Sequence, residues 1–332
     1  AMAAARGAVL ARLAQRASGG EGGSAGREIA RILAQARRES APLEVAAADV
    51  AGALSLADGY ELQRLVAREL AAVPGWESVG FKVGATALPV QQRMGLTEPF
   101  MAEVFAANTL VPVDPGTSAA ARPVPPVLTR GIEAEWGFML GRDLPTLGQD
   151  DRDYDRDEVA EAVSFCFPVI EITGTRYVES PGFPLFLADG GGNGLVIVSP
   201  KRLWRAPSDW ELKDASDIAV RTSLDGVPVA EGSGRQVMGH PLEALTWLAN
   251  KRGRRVIRSG EIVSSGAANG NHPLPLTALP AQIKVEFQGW GDLSLALPSP
   301  AGPDTECLDR TDEQLFLPFP AYRDAFSLSV KQ

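Results

Sequence analysis

Two glutamates stand close together in a stretch that otherwise predicts an apolar β-strand. In GIEAEWGFML, residues 131–140, apolar residues occupy every second position. Because alternate side chains of a strand point to opposite faces, the apolar residues share one face, and Glu133 and Glu135 share the other. Two adjacent carboxylates repel each other unless a cation lies between them, and hard divalent cations prefer such oxygen ligands. The alternative is an ordinary half-buried strand whose acidic residues face solvent.

A third glutamate repeats this anomaly in PVIEIT, residues 168–173, where Glu171 is flanked by Ile170 and Ile172. Charged residues are uncommon inside apolar strands unless they are paired or bound to a metal. Three carboxylates together with water molecules would suit an octahedral Mg²⁺ or Mn²⁺. The spacing alone therefore indicates candidate metal ligands, and the fold decides whether the two strands bring them together.

The composition limits the kinds of partner that the protein can have. The chain has 332 residues, of which 45% are hydrophobic and 22% charged, which is enough for one large domain or two modest ones. Its net charge of −9 argues against nucleic acid and anionic membranes, since both select for basic surfaces. No apolar run approaches the length of a membrane span. Two cysteines, Cys166 and Cys307, exclude a disulfide framework, and a reducing, cytoplasmic compartment is expected.

Two helices are predicted before the first strand. Residues 27–38 place apolar residues on one helical stripe, and a second helix follows Ser55, which has Asp58 at capping-box spacing. SVGFKVGAT, which contains Lys82, reads as a short strand bounded by glycines. From about residue 104 onward, short strands and Pro/Gly turns predominate. The exceptions are a helix predicted over DEVAEAVSFCF, running into the strand PVIEIT, and another near 241–250.

These patterns divide the chain into four parts. We predict a flexible N-terminal arm over 1–26, a small α/β cap over 27–103, a β-rich catalytic core over 104–300 and an irregular C-terminal tail over 301–332. The first boundary falls in the low-complexity stretch GGEGGSAG, and the second lies where the pattern becomes mostly β.

Eight short stretches occur in the order found in a known family of enzymes. They are GFKVGAT, MGLTEP, IEAEWGFMLGRDLP, PVIEITGTR, FLADGGGNG, MGHPLEALTWLANK, SGEIVSSGA and FQGWGDLSLAL. Through them the chain, over residues 27–296, resembles the 2-keto-4-pentenoate hydratase and 4-oxalocrotonate decarboxylase family of the fumarylacetoacetate hydrolase superfamily. The resemblance implies an α+β fold, with a mixed β roll or sandwich as its core and a small N-terminal α/β cap. It also implies a homo-oligomer.

The resemblance assigns roles to several of the candidate residues. Glu133, Glu135 and Glu171 match the glutamates that hold Mg²⁺ or Mn²⁺ in the family. Lys82 matches a lysine that acts as an acid/base or carboxylate-binding group. In a desolvated pocket near a cation, such a lysine would have its pKa lowered towards neutrality. Asp189 matches an aspartate of the family and is a candidate catalytic or positioning residue, although a turn-forming aspartate is the alternative.

The remaining candidates would bind the substrate. Arg176 stands where the family also has an arginine, and it could bind a carboxylate in bidentate fashion or form a structural salt bridge. The family usually has Asn, Ala and Ser after the aspartate, whereas this chain has Gly190, Gly191 and Gly192. Two polar side chains are therefore missing. Asn193 is the obvious replacement, so Gly192 and Asn193 are candidate substrate-binding positions.

The implied activity is that of a metal-dependent lyase acting on a small-molecule 2-oxo acid or 2-hydroxy-dienoate through a stabilised enolate, with a hydratase as the first hypothesis. Three alternatives stay open. A 4-oxalocrotonate-type decarboxylase shares the same electron sink. A C–C bond hydrolase of the superfamily would need a histidine and acid pair from the cap, whereas His240 and His272 both come late. A non-catalytic homologue is favoured by the triple glycine and opposed by the charged residues kept in apolar strands.

Overall fold

The computed structural model describes residues 2–16, 22–112, 119–120, 131–207, 215–274, 281–297 and 316–318. Its helices are α1 (Met2–Arg16), α2 (Gly22–Arg38), α3 (Ala47–Val50), α4 (Leu56–Ala71), α5 (Leu88–Met94), α6 (Arg156–Ala160), α7 (Phe183–Ala188) and α8 (Pro241–Asn250). Its strands are β1 (Ser78–Gly84), β2 (Phe100–Phe105), β3 (Thr109–Pro112), β4 (Ala119–Ala120), β5 (Gly131–Leu140), β6 (Val163–Thr173), β7 (Asn193–Val198), β8 (Ala219–Leu224), β9 (Val227–Ser233), β10 (Ile262–Ala267), β11 (His272–Pro273), β12 (Ala281–Phe287), β13 (Gly291–Leu297) and β14 (Phe316–Pro318).

Two sheets form the β-rich part of the protein. The larger sheet has the strand order β14-β3-β7-β6-β5-β10-β1-β2, with β11 paired to β5. The smaller sheet has the order β4-β13-β12-β8-β9. Pairing in the larger sheet is mixed, since β1 runs parallel to β10 while β5 is antiparallel to both β10 and β6. The predicted α+β fold with a mixed β core is therefore confirmed.

The main hydrophobic core lies between the two sheets. The apolar face of β5 is fully buried, and the ring of Trp136 on this face meets Phe287 of β12 and Trp290 edge-on, with ring centroids 4.8 Å apart in each pair. Such aromatic pairs add to the stabilisation that burial of apolar surface already gives. Because this face of β5 belongs to the core, its opposite face, which carries the two glutamates, is free to form a polar site.

A layer of helices forms a second apolar cluster, which Phe105 of β2 joins to the larger sheet. Helix α4 begins with the predicted capping box: the Asp58 N–H donates to Ser55 Oγ, and the Ser55 N–H donates to the Asp58 carboxylate over 2.8 Å. Helices α2 and α4 pack through buried side chains that include Leu33 and Leu70. Among the helices in the described ranges, none is both long and apolar enough to cross a membrane.

The first helix differs from the expected flexible arm. Helix α1 packs on α2, and Leu10 and Ala14 are fully buried in the same cluster as the apolar residues of α2 and α4. Together with Gly7 and Ala11, these residues give the Ala-rich segment a face that can be buried, which stabilises it beyond its propensity alone. Residues 17–21 lie outside the described part, and the predicted domain boundaries stay predictions.

Two further segments differ from the sequence prediction. The helix predicted over DEVAEAVSFCF is wrong beyond Ala160, because β6 already begins at Val163 and pairs with β5. Its Val, Phe and Cys side chains suit a buried strand, and tertiary pairing overrides the helical spacing of the acidic residues before them. In the tail, Phe316–Pro318 pairs with β3. The rest of the expected irregular tail, including Cys307, lies outside the described residues.

Candidate active site

The three candidate metal ligands converge on one face of the larger sheet. Strands β5 and β6 pair in a register that places Glu133 directly opposite Glu171, and Glu135 follows two residues later on the same face. One carboxylate oxygen from each of the three lies within 4.8 Å of the others. Glu135 and Glu171 are fully buried, whereas Glu133 is partly exposed at the edge of the group. We call these three residues the glutamate triad.

Glu135 has one carboxylate oxygen that lacks a hydrogen-bond donor. Its Oε2 accepts hydrogen bonds from the Ser264 hydroxyl and from the Gly266 N–H, the latter over 3.0 Å. Its Oε1 is equally buried and has no partner. Burial raises the pKa of Glu135 well above its ordinary value, and the nearby charges of Glu171 and Glu133 raise it further. A buried oxygen without a donor is costly unless something else binds it, so this donor set fits a divalent cation.

Lys82 reaches the triad from a different strand of the larger sheet, β1. Its Nζ donates to Glu171 Oε2 over 2.6 Å, and both side chains are buried. Strands β10 and β5 separate β1 from β6 in the sheet order, so this contact requires the sheet to curl strongly. The side chain of Lys82 thus lies on the concave face together with the triad.

The expected lowering of the lysine pKa refers to a site that holds a cation, and it stays a prediction. The carboxylates by themselves act in the opposite direction. Burial by itself would lower the pKa of Lys82, but the carboxylates of Glu171, Glu133 and Glu135 favour the ammonium and hold its pKa above the ordinary value. Burial raises the pKa of Glu171, and the Lys82 ammonium acts against that rise. The two groups therefore form a buried ion pair whose partners each depend on the other's charge.

Asn193 connects the triad to the layer of helices. Its Nδ2 donates to Glu171 Oε1 over 2.9 Å, and its Oδ1 accepts from Asn108 and, over 2.7 Å, from Arg37 Nη2. Arg37 lies at the end of α2 and is buried, and this burial together with the neighbouring Arg176 lowers the pKa of Arg37 to about 9. The predicted candidate Asn193 thus lies at the site, although its contact is with a glutamate of the triad.

Arg176 and Asp189 bind each other. Arg176 Nε donates to both carboxylate oxygens of Asp189 over 2.8 Å, and both side chains are buried. Thr175 adds a hydroxyl donor to the same carboxylate, and the Asp189 carbonyl accepts from Arg37 Nη1 over 2.8 Å. This geometry favours the salt-bridge alternative for Arg176 and a positioning role for Asp189, because each satisfies the charge of the other. Direct contact of either residue with a substrate stays a prediction.

The three consecutive glycines form a turn that other residues could not form at the same low cost. Gly190, Gly191 and Gly192 all have positive φ angles, of 93°, 59° and 81°. A Cβ atom on Gly190 would lie 2.4 Å from Arg37 Nη1, and one on Gly191 would lie 2.5 Å from Phe100 Cε2. The absence of side chains therefore lets Arg37 and Phe100 approach the backbone. Substrate binding by Gly192 stays a prediction.

We expect Gly191→Ala to destabilise the protein more than Gly226→Ala. Gly226 also has a positive φ, of 79°, but an added Cβ there would meet nothing within 4 Å. Both variants carry the backbone cost of about 1 kcal/mol, and only Gly191→Ala adds a clash with Phe100 of roughly 1–3 kcal/mol. Urea unfolding midpoints at unchanged slope measure the difference. Equal destabilisation of the two variants would show that the Phe100 ring moves aside freely.

Three polar residues that hold the site were missed by the sequence analysis. Asn271 donates to Glu133 Oε1 over 2.8 Å, Ser264 donates to Glu135, and Arg37 holds Asn193. Ser264 lies in the predicted strand EIVSSG, but nothing in that stretch indicates which side chain it faces. Arg37 looks like an ordinary basic residue in the last turn of a helix. Their partners are set by tertiary contacts between segments far apart in sequence.

The chain matches one family model and several curated proteins. The model for the C-terminal domain of fumarylacetoacetate (FAA) hydrolase matches residues 83–296. The "TodF product hydratase" of Pseudomonas putida is 32% identical over 278 residues, which is 81% of this chain and 94% of that protein. The "2-keto-4-pentenoate hydratase" of Paraburkholderia xenovorans is 30% identical over 248 residues, which is 72% of this chain and 84% of that protein.

A solved structure shares the fold. It is the 4-oxalocrotonate decarboxylase from Pseudomonas putida G7, complexed with magnesium and adipate. The likeness has a TM-score of 0.66 at 22% identity and covers 82% of this chain and 98% of that one. At this identity the likeness speaks for the fold alone, and it agrees with the two-sheet architecture described above.

Proposed function

Since the chain belongs to the fumarylacetoacetate hydrolase family, we propose that it is a divalent-metal-dependent lyase of the hydratase type. Its substrate would be a small 2-hydroxy-dienoate or 2-oxo acid. The observation that carries the proposal is the buried Oε1 of Glu135, which has no donor and lies among three converging carboxylates. The hydratase names of the relatives support the reaction type, and the family resemblance also favours a homo-oligomer.

The glutamate triad would hold the cation. Only oxygen ligands are present in this group, which favours a hard ion such as Mg²⁺ or Mn²⁺. When bound, the cation would supply Lewis-acid stabilisation of the enolate form of the substrate. Ser264 and Asn193 orient two of the carboxylates through hydrogen bonds, and such partners of metal ligands are important for affinity.

Lys82 would move the proton. Its Nζ lies 2.6 Å from Glu171 Oε2, on the concave face where a substrate bound at the triad would lie. In a hydratase reaction, the ammonium gives a proton to the terminal carbon of the dienol, and the 2-hydroxyl loses one as the 2-oxo group forms. A water molecule then adds across the conjugated double bond, so that the net change is the addition of one water. The ion pair with Glu171 favours the ammonium form of Lys82, which is the form that can act as the acid.

The C–C hydrolase alternative finds less support at this site. Such a hydrolase would take a histidine and acid pair from the cap to activate water. His240 instead caps α8, where its Nδ1 accepts from the Leu242 N–H over 3.0 Å. His272 lies in β11 and pairs with Ile132 of β5. Both histidines thus belong to the β-rich part of the chain, and the hydratase proposal needs neither.

Calorimetric titration with oxalate tests the proposal. Oxalate mimics the adjacent carboxylate and enolate oxygens of the substrate, so we expect it to bind only when Mg²⁺ is present. Succinate, whose carboxylates are not adjacent, serves as the control and should not bind in the same way. Binding of oxalate without metal, or no binding at all with Mg²⁺ or Mn²⁺, would contradict the proposed site.

A further inference from the structure

Arg37 crosses from the helical layer to the turn that precedes β7. It lies in the last turn of α2 and is 5% exposed. Its Nη1 donates to the Asp189 carbonyl over 2.8 Å, and its Nη2 donates to Asn193 Oδ1 over 2.7 Å. In the described part of the chain, every acceptor of this guanidinium is a neutral oxygen, and its buried Nε has no acceptor. A buried charge without a carboxylate in direct contact is costly, so this position indicates a role beyond packing.

Arg37 determines which end of the Asn193 amide faces Glu171. A side-chain amide carries an acceptor at one end and donors at the other, whereas a guanidinium can only donate. The Oδ1 end of Asn193 therefore turns to Arg37 Nη2, and the Nδ2 end donates to Glu171 Oε1 over 2.9 Å. Rotation of the amide by half a turn would set its donors against the guanidinium and its oxygen against the carboxylate. The contact with Arg37 thus makes Asn193 a fixed hydrogen-bond donor to a proposed metal ligand.

Asn108 gives the same amide oxygen a second donor, but this donor is neutral. Its Nδ2 donates to Asn193 Oδ1 and, over 2.9 Å, to the Gly194 carbonyl. Hydrogen bonds from a charged donor are stronger than those between neutral groups, and successive hydrogen bonds polarise one another. Arg37 is therefore the stronger of the two donors, and its charge strengthens the donation from Asn193 to Glu171.

The Glu171 carboxylate is held at both of its oxygens. Oε1 accepts from Asn193, and Oε2 accepts from Lys82 Nζ over 2.6 Å. A carboxylate has about four lone-pair sites, so each oxygen keeps one for a further ligand. With the Lys82 donor alone, the carboxylate would be free to rotate about its Cγ–Cδ bond. Two donors on different oxygens oppose that rotation and fix the plane of the carboxylate relative to Glu133 and Glu135.

We propose that Arg37 is a positioning residue of this site: it fixes the amide of Asn193, which in turn fixes the carboxylate of Glu171 for the cation. The inference rests on the proposed function, which places a divalent cation at the glutamate triad. Arg37 acts from outside the triad, so its loss should weaken metal binding without removing a ligand. Partners that orient metal ligands typically contribute roughly 10–100-fold to metal affinity.

Two substitutions of Arg37 that differ in what they can donate test this inference. Arg37→Lys keeps a cation that can only donate, whereas Arg37→Gln has an amide that can present either end to Asn193. Both keep a donor for the Asp189 carbonyl. We expect the Kd for Mg²⁺, measured by calorimetric titration, to rise by about tenfold in Arg37→Gln and by less than about threefold in Arg37→Lys. A native Kd in Arg37→Gln, or equal losses in the two variants, would overturn the inference.

Arg38→Gln is the matched control for these variants. Arg38 is the next residue of α2, and its side chain is exposed, so this substitution should leave the Kd for Mg²⁺ unchanged. Urea unfolding without metal measures how much stability each variant loses independently of Mg²⁺. A purely structural role of Arg37 would lower the free energy of unfolding but leave the affinity of the folded protein for Mg²⁺ as it is in the native protein.

A double-mutant cycle with Asn193 shows whether Arg37 acts through that side chain. Asn193→Leu has a similar shape, leaves α2 unchanged and removes the donor to Glu171, so its Kd for Mg²⁺ should rise by at least about tenfold. In this background, Arg37→Gln should add less than about twofold. A full effect of Arg37→Gln in both backgrounds would contradict the proposed route. A native Kd in Asn193→Leu would also contradict it, and that result does not depend on whether Arg37→Gln folds.

Titration of the native protein separates failure of this inference from failure of the proposed function. If the native protein and Arg37→Gln bind Mg²⁺ equally well, only the role of Arg37 is wrong. If the native protein binds neither Mg²⁺ nor oxalate in the presence of Mg²⁺, the proposed function fails and this inference fails with it.

Discussion

Replacing Glu135 with glutamine is expected to abolish the stabilisation of the protein by Mg²⁺ and to abolish turnover. In the native protein, Mg²⁺ at 100 times its Kd should raise the free energy of unfolding by about 2.7 kcal/mol, because the ion binds only the folded state. The variant loses the carboxylate oxygen that has no donor, and its affinity for Mg²⁺ should fall by more than about 100-fold. Thermal unfolding at several Mg²⁺ concentrations measures the stabilisation and the affinity, and steady-state rates measure the turnover.

Without added metal, Glu135→Gln should have a higher free energy of unfolding than the native protein. Burial and the neighbouring carboxylates raise the pKa of Glu135, so the charged form is disfavoured at this position. A neutral amide of the same shape relieves that repulsion. Glu231→Gln is the matched control, since this glutamate is exposed on β9 of the smaller sheet, and it should leave the response to Mg²⁺ unchanged. A Glu135→Gln protein with a native response to Mg²⁺ would remove Glu135 from the set of ligands.

Lys82→Met is expected to separate the two roles of the lysine. Without metal, the variant leaves the Glu171 carboxylate buried and unpaired, which should lower the free energy of unfolding by roughly 3 kcal/mol. Added Mg²⁺ should restore more stability to the variant than it adds to the native protein, because the ion no longer competes with the ammonium for the carboxylate. Turnover should still be at least about 100-fold lower, since no other described group takes the place of the acid.

Lys284→Met is the matched control for this experiment. Lys284 pairs with Glu286 on β12, and both side chains are 45% exposed, so the loss of this pair should change stability by less than about 1 kcal/mol. Steady-state rates and thermal unfolding, each at several Mg²⁺ concentrations, provide the comparison. If Lys82→Met turned over substrate at the native rate, Lys82 would be only a structural partner of Glu171.

The three glutamates that the structure brings together could be picked out from the sequence because the relevant signal is local. Alternation in β5 places Glu133 and Glu135 on the face opposite Trp136, and an isolated charge among isoleucines marks Glu171. The fold class and the lyase type could be predicted from the order of the family stretches, and the relatives confirm both. The capping box at Ser55 is equally local and was also correct.

What could not be predicted depends on how distant segments meet. The ion pair of Lys82 with Glu171 needs a curl across four strands, and its effect on the lysine pKa follows from that contact. From the sequence alone, the triple glycine is interpreted as a loss of two polar side chains. In the structure it makes room for Arg37 and Phe100, neither of which carries a local sign of its partner. The early start of β6 likewise depends on pairing with β5.

The position of Arg37 also couples the stability of helix α2 to binding at the glutamate triad. This side chain belongs to α2, yet its donors serve the Asp189 carbonyl and Asn193, and Asn193 in turn holds Glu171. A local opening of α2 would strip these acceptors of their donor and loosen a ligand of the proposed cation. Whatever binds at the triad therefore favours the closed state of α2 by the same free energy with which a closed α2 favours binding. A change that destabilises helix α2 should therefore also weaken binding at the glutamate triad.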